Sequence, residues 1–277
     1  VDPLVGVDWL SAHLGDPGLR LVDCRFSLQD PTAGRRAYAA GHIPGAIFLD
    51  LEQDLCAPPR PDRRGGRHPL PPPELLAARL GQAGLGDEHL VVAYDEPPAG
   101  GFYAPHLWWL LRWLGHERVA VLDGGITAWR AAGLPLVAGL EAYPPAVLTP
   151  RPQADMVVDA AYVAQRTPGI VLIDARAPER YRGEVEPLDP VAGHIPGAVN
   201  RYWLEGLEPS GRFKPASAQA ERFAGLEGEL VVYCGSGVSA TANLLALHLL
   251  GRKARLYRGS WSDWVAEPGR PVARGEG

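Results

Sequence analysis

The chain has 277 residues, 46% of them hydrophobic and 21% charged, with a net charge of −5. That length is comfortable for two domains with ordinary cores, and no basic block marks a nucleic-acid partner. No apolar run approaches membrane-spanning length, and the first residues show no charged start followed by an apolar signal segment.

Taken in chain order, Leu21-Val22-Asp23-Cys24-Arg25 reads as a short apolar strand ending in an Asp-x-Arg. Gly41-His42-Ile43-Pro44-Gly45-Ala46 follows as a turn-rich strand entry, then a helical stretch over 73–80. Val91-Val92-Ala93-Tyr94-Asp95 is the next strand, a second helical stretch covers 105–114, and the motif Gly124-Gly125-Ile126-Thr127-Ala128-Trp129 comes after it. The Pro- and Ala-rich segment 139–153 reads as a linker.

Beyond it the same signals return in the same order. Leu172-Ile173-Asp174-Ala175-Arg176 matches the first strand, and Gly193-His194-Ile195-Pro196-Gly197-Ala198 the turn. Leu230-Val231-Val232-Tyr233-Cys234 matches the second strand, and Gly259-Ser260-Trp261-Ser262-Asp263-Trp264 the last motif. Four ordered matches mean two copies of one domain, 1–138 and 154–277. Apolar strands alternating with helices predict an α/β fold, each copy a mainly parallel sheet flanked by helices. Ligand sites in such sheets lie beyond the C-terminal strand ends, where Asp95 and Cys234 both fall.

Cys234 leaves its strand into Gly235-Ser236-Gly237-Val238-Ser239 and a helical run from Ala240. A short strand-to-helix turn aims backbone N–H groups and a helix dipole at the sulfur, which stabilises a thiolate and holds an anion beside it. Gly235 and Gly237 let the loop curl without side-chain clashes. Cys24, Cys56 and Cys234 include no C-x-x-C pair, which argues against a disulfide framework and a thiolate zinc site. No metal is expected, and a sparse set of free thiols fits a reducing cytoplasm. Cys24 is expected to be buried, Cys56 to lie in an exposed loop, and neither to be catalytic.

The paired GHIPGA segments, the two Asp-x-Arg openings and the cysteine loop resemble the tandem rhodanese family of two-domain sulfurtransferases over essentially the whole chain. The resemblance implies an inactive N-terminal copy, in agreement with Asp95 in the place of Cys234, and a C-terminal copy carrying the nucleophile. It implies double displacement: Cys234 takes sulfur from thiosulfate or 3-mercaptopyruvate as a persulfide and passes it to cyanide or a thiol, a protein thiol included. The cysteine is the carrier, so no cofactor is implied.

Arg180 matches an arginine that grips the anionic donor, and Arg176 either assists it or pairs with Asp174. Phe102 and Tyr103 resemble aromatics lent to the pocket, or else pack in the core. Ser236, His68 and Glu52 resemble a serine–histidine–acid relay of the mercaptopyruvate enzymes, with Glu52 where the family usually has Asp; otherwise His68 is a solvent residue. His42 and His194, present in both copies, are expected to be structural.

The neutral Gly235-Ser236 leans toward mercaptopyruvate, whereas Leu188 after Glu186-Pro187, where that group often has an arginine, leaves thiosulfate open. A phosphatase would need Cys-x5-Arg, and the sixth residue after Cys234 is Ala240. A non-catalytic sulfur-carrying or sulfur-sensing module is the alternative to an enzyme.

Overall fold

The structure, a computed structural model, describes residues 2–98 and 100–276. Two units divide the chain: Val1–Cys56, Pro71–Gln153 and Leu207–Phe213 form the first, and Ala57–Leu70, Ala154–Gly206 and Lys214–Gly277 the second.

In the first unit, strands β1 (Leu4–Val5), β2 (Leu19–Asp23), β3 (Ala46–Phe48), β4 (Leu90–Tyr94) and β5 (Val119–Leu122) form one sheet in the order β1-β5-β4-β2-β3. Every pairing is parallel. Helices α1 (Val7–His13), α2 (Ala33–Ala40), α3 (Pro73–Gln82) and α4 (Tyr103–Trp113) lie in the connections between its strands, and α5 (Gly125–Ala131) follows β5. Central strand β4 reads LVVAY and is buried from Val91 onward, as a parallel strand covered on both faces must be. α4 (YAPHLWWLLRW) is buried at every position except Arg112, so it is a core helix rather than an amphipathic one.

The second unit repeats the plan with β6 (Val157–Val158), β7 (Ile170–Asp174), β8 (Ala198–Asn200), β9 (Glu229–Tyr233) and β10 (Ala254–Tyr257), in the order β6-β10-β9-β7-β8. All of these pairings are parallel too. Its helices are α6 (Ala160–Ala164), α7 (Pro178–Tyr181), α8 (Ala216–Arg222), α9 (Ala240–Leu249) and α10 (Ser260–Trp264). α9 takes the role of α4: eight of its residues, Ala240 through Leu247, are buried.

The repeated motifs hold equivalent posts. His42 stacks on Tyr38 and its Nδ1 donates to the Tyr38 carbonyl at 2.9 Å; His194 does the same with Tyr181 at 2.8 Å. The Tyr94 and Tyr233 hydroxyls accept from Ile43 and Ile195 N–H, the next residue of each GHIPGA. Both histidines are therefore fold residues, as their presence in both copies suggests.

The domain boundaries differ from a simple cut. Segment 139–153 is not a free linker but a strap on the first unit. The Tyr143 hydroxyl donates to Gly45, Ala146 N–H to Gly81, and Arg151 and Gln153 N–H to Leu114 and Trp113. Segment 57–70, which sequence order puts in the first copy, belongs to the second unit. Gly65 N–H donates to Asp263 Oδ1 at 2.8 Å and Arg67 N–H to Ser262 Oγ at 3.1 Å. Cys56 is also corrected, being buried at 3% exposure rather than placed in an exposed loop. Desolvation, aided by Glu52 and Asp50, pushes its thiol well up.

Candidate active site

Strand β9 delivers Cys234 at its C-terminal end, and the loop returns at once into α9. The turn is possible because of Gly237, which sits at φ +85°; a Cβ there would lie 2.5 Å from the Arg258 carbonyl oxygen. The left-handed backbone alone would cost a larger residue about 1–2 kcal/mol, and the clash with a fixed main-chain oxygen makes the exclusion firm. The same residue donates its N–H to Cys234 Sγ at 3.2 Å, a contact that favours negative charge on the sulfur.

The start of α10 holds the cysteine backbone from the other side. Cys234 N–H donates to Ser260 Oγ at 3.2 Å, Trp261 N–H to the Cys234 carbonyl at 3.0 Å, and Ser262 N–H to the Gly235 carbonyl at 2.9 Å. Ser260 makes its bond from φ +55°, where the first copy has Gly125 at φ +53°. A non-glycine residue in that region is strained, and strain of this kind gathers at functional sites. Comparison of the repeats could have flagged Ser260, because a serine replaces glycine there. Cys234, at 1% exposure, and Ser236, at 7%, line a buried loop. Val238 is buried and its carbonyl accepts from the Thr241 hydroxyl; Ser239 occupies the N-cap position of α9.

His68 and Ser236 come together within the second unit, His68 Nδ1 lying 2.7 Å from Ser236 Oγ. Burial, with the Arg67 charge adding to it, holds the His68 imidazole down at about 4. The ring is thus neutral near pH 7, with one nitrogen able to accept a proton.

Two arginines flank the loop. Arg180, on α7, directs Nε and Nη2 at Glu186 at 3.2 and 2.6 Å, with Nη2 3.7 Å from Asp189 Oδ2. Arg67 pairs through Nη1 with Asp189 Oδ1. A methyl carbon built on Gly235 would lie 2.9 Å from Arg67 Nη2, and 3.5 and 3.6 Å from Arg180 Nη2 and Nη1. Nothing in the sequence separates Arg67 from its solvent-facing neighbours Arg60, Arg63 and Arg64, so it escapes a reading by pattern.

Of the two places considered for Arg176, the structure has the pairing with Asp174. Its side chain is 1% exposed, Nε and Nη2 bind Asp174, Nη2 also donates to the Gly193 carbonyl, and Nη1 reaches Glu186. Arg25 binds Asp23 and the Gly41 carbonyl in the same way in the first unit. Pulling one partner from a buried pair costs about 3–5 kcal/mol, so Arg176 stays as a brace.

Glu52, Phe102 and Tyr103 belong to the first unit. Glu52 is exposed on the π-helical turn Leu51–Leu55. Phe102 packs on Tyr103 with ring centroids 4.3 Å apart, and Tyr103 is edge-on to Phe26 at 5.6 Å. There Asp95 takes the cysteine's post. Its carbonyl accepts from Ile126 N–H at 2.9 Å, as that of Cys234 does from Trp261, while Oδ2 accepts from Ala104 N–H at 2.8 Å.

The rhodanese-like domain model matches this chain twice, at residues 6–132 and 158–267. The chain belongs to the rhodanese family. A probable 3-mercaptopyruvate sulfurtransferase of Pseudomonas aeruginosa is 49% identical over 99% of this chain and 98% of its own length. A putative thiosulfate sulfurtransferase of Mycobacterium tuberculosis is 40% identical over 94% of this chain and 92% of its own. Among solved structures, SseA from Escherichia coli, described with the rhodanese fold of 3-mercaptopyruvate sulfotransferases, superposes with a TM-score of 0.83. That match is 33% identical and covers 94% of this chain and 99% of that one. Kinship of this extent makes this rhodanese-family chain a sulfurtransferase in reaction class.

Proposed function

We propose that the chain moves a sulfane sulfur through a Cys234 persulfide, with 3-mercaptopyruvate as its first donor, thiosulfate as a second, and a thiol or cyanide as acceptor. The observation that carries this reading is the Cys234 loop with a hydrogen-bonded Ser236–His68 pair beside it. The Cys234 thiolate attacks the donor's sulfur. With mercaptopyruvate the C–S bond breaks, its electron pair goes to carbon as the pyruvate enolate, and a proton must reach that carbon. The neutral His68 and the Ser236 hydroxyl are suited to pass that proton. With thiosulfate the S–S bond breaks and sulfite leaves with the electron pair, needing no proton. The acceptor then attacks the outer persulfide sulfur and restores the thiolate, so no cofactor enters the cycle.

Arg180, beside Gly235, is the donor-gripping cation in this reading, and Arg176 supports it from beneath through Glu186. The three free cysteines suit work in a reducing cytoplasm. Steady-state kinetics with both donors, against cyanide and a thiol, test the reading. Cys234→Ser is expected to abolish turnover with each donor, and activity equal to the wild type would refute the persulfide route.

A further inference from the structure

We propose that the first unit holds a binding site for a zwitterionic α-amino acid with an apolar side chain, in the cavity between Arg25 and Glu96 at the C-terminal ends of β2 and β4. The site belongs to the copy without the nucleophile and needs nothing of Cys234.

The duplication makes it visible. Arg25 and Arg176 are equivalent braces. Each gives Nε and Nη2 to the aspartate two positions before it, and Nη2 also to the first glycine carbonyl of its GHIPGA segment. They part at Nη1. In the second unit Arg176 Nη1 donates to Glu186 Oε2 at 3.2 Å. In the first unit the same connection is folded differently, with α2 late in it where α7 comes early. There Arg25, at 3% exposure, has an Nη1 that carries no hydrogen bond among the described residues. Arg25 lines a cavity of about 360 Å³. Ligands of such sheets sit beyond the C-terminal strand ends, and an open guanidinium edge there selects a carboxylate, the group its counterpart already holds.

A carboxylate alone would be badly placed. Glu96 Oε2 stands 3.8 Å from Arg25 Nη1, and Arg130 holds the other carboxylate oxygen of Glu96. An anion docked on Arg25 therefore faces a second negative charge, and an ammonium group on the same ligand turns that repulsion into attraction. A carboxylate and an ammonium on one carbon define an α-amino acid. The remaining walls decide its side chain. Phe26 and Tyr103 meet edge to face with centroids 5.6 Å apart, and α2 adds Gly34 and Ala37. A Cβ on Gly34 would lie 1.9 Å from the Arg25 carbonyl oxygen, so this wall is pressed against the strand exit. Aromatic rings and small residues suit an apolar side chain, and the volume falls at the small end for ligand cavities.

Calorimetric titration of the native protein with L-alanine, L-leucine, L-methionine and L-phenylalanine tests the site. At least one should bind saturably, and Cys234→Ser should bind it equally well. The corresponding acid without the amine, and the amine without the carboxylate, should each bind about tenfold more weakly or worse. Glu96→Gln keeps the shape and removes the charge. It should weaken the amino acid on the order of tenfold and leave the amine-free acid no weaker. Ala37→Leu fills the cavity from α2 and should abolish binding, with an unaltered ligand-free Tm showing that the variant is folded. Failure of all four amino acids to bind overturns the proposal. So does binding that survives Glu96→Gln and Ala37→Leu but falls with Arg180→Gln, which would put the amino acid at the Cys234 loop. If Ala37→Leu does not fold, Glu96→Gln decides alone, and an unchanged affinity there sinks the site.

Discussion

His68 and Ser236 share a short hydrogen bond in a setting that water scarcely reaches, and this fixes the protonation state of the pair. The folded imidazole titrates at about 4, below the usual 6.5. Between those values the unfolded chain holds a proton here that the folded one does not. The stability from this site is therefore present above about pH 6.5 and is lost as pH falls toward 4. Across the neutral range the pair stays ready to move a proton. Ser236→Ala should thus lower mercaptopyruvate turnover, on the order of 100-fold, while thiosulfate turnover persists, because sulfite leaves without a proton. Parallel kcat measurements with both donors check this; equal losses for both would assign Ser236 to loop structure instead. At this scale the nucleophile was legible because cysteine in a Gly/Ser turn has few other uses. The serine and histidine were legible only through resemblance, since 168 positions separate them in the chain. Arg67 was not legible at all: its place beside Gly235 depends on a backbone anchored to α10, and residue type says nothing of that.

Comparing β4 and its following loop with β9 and its loop shows what the duplication preserved. Each strand is followed by a residue whose carbonyl is bound by the N-terminal turn of the last helix, but Asp95 offers a carboxylate to Ala104 N–H in α4, whereas Cys234 offers its sulfur to Gly237 N–H in the loop. Full burial, with Asp23 adding repulsion, raises the Asp95 carboxyl to about 7 despite the N–H groups it accepts from. The folded state thus prefers the protonated acid. Its contribution is complete below the unfolded value near 3.8 and is lost as pH rises through 7. Asp95→Asn keeps an oxygen for Ala104 N–H and removes the ionisation. We expect the variant to be more stable near pH 8, by ~1–4 kcal/mol, and close to the wild type near pH 4. Denaturant unfolding at the two pH values decides it, and a destabilised variant near pH 8 would show that the ionised form is the supported one. Strand and helix positions were readable here, since runs such as LVVAY and ELVVY have one stable use in a covered parallel sheet. The strap over 139–153 and the reassignment of 57–70 were not, because Pro-rich chain has no periodicity to say which surface it follows.

The whole molecule carries three thiols on a duplicated frame, all free and all buried, so burial alone does not select the reactive one. Their surroundings differ in charge. Cys24 is raised by burial and then by Asp95 and Asp23, and Cys56 by burial and then by Glu52 and Asp50. Each sits where a thiolate would meet carboxylates. Cys234 instead has the Gly237 N–H on its sulfur and two arginines beside the next residue, within a chain whose net charge is −5. The surroundings thus favour negative charge at Cys234 over the other two, and the equivalent post in the first copy holds Asp95 in place of a thiol. Native protein treated with excess thiosulfate and desalted should gain the mass of one sulfur atom per chain, mapped by peptide analysis to Cys234 and removed by cyanide. Two sulfurs per chain, or one on Cys24 or Cys56, would mean that the local charge around each thiol does not govern which of them carries sulfur.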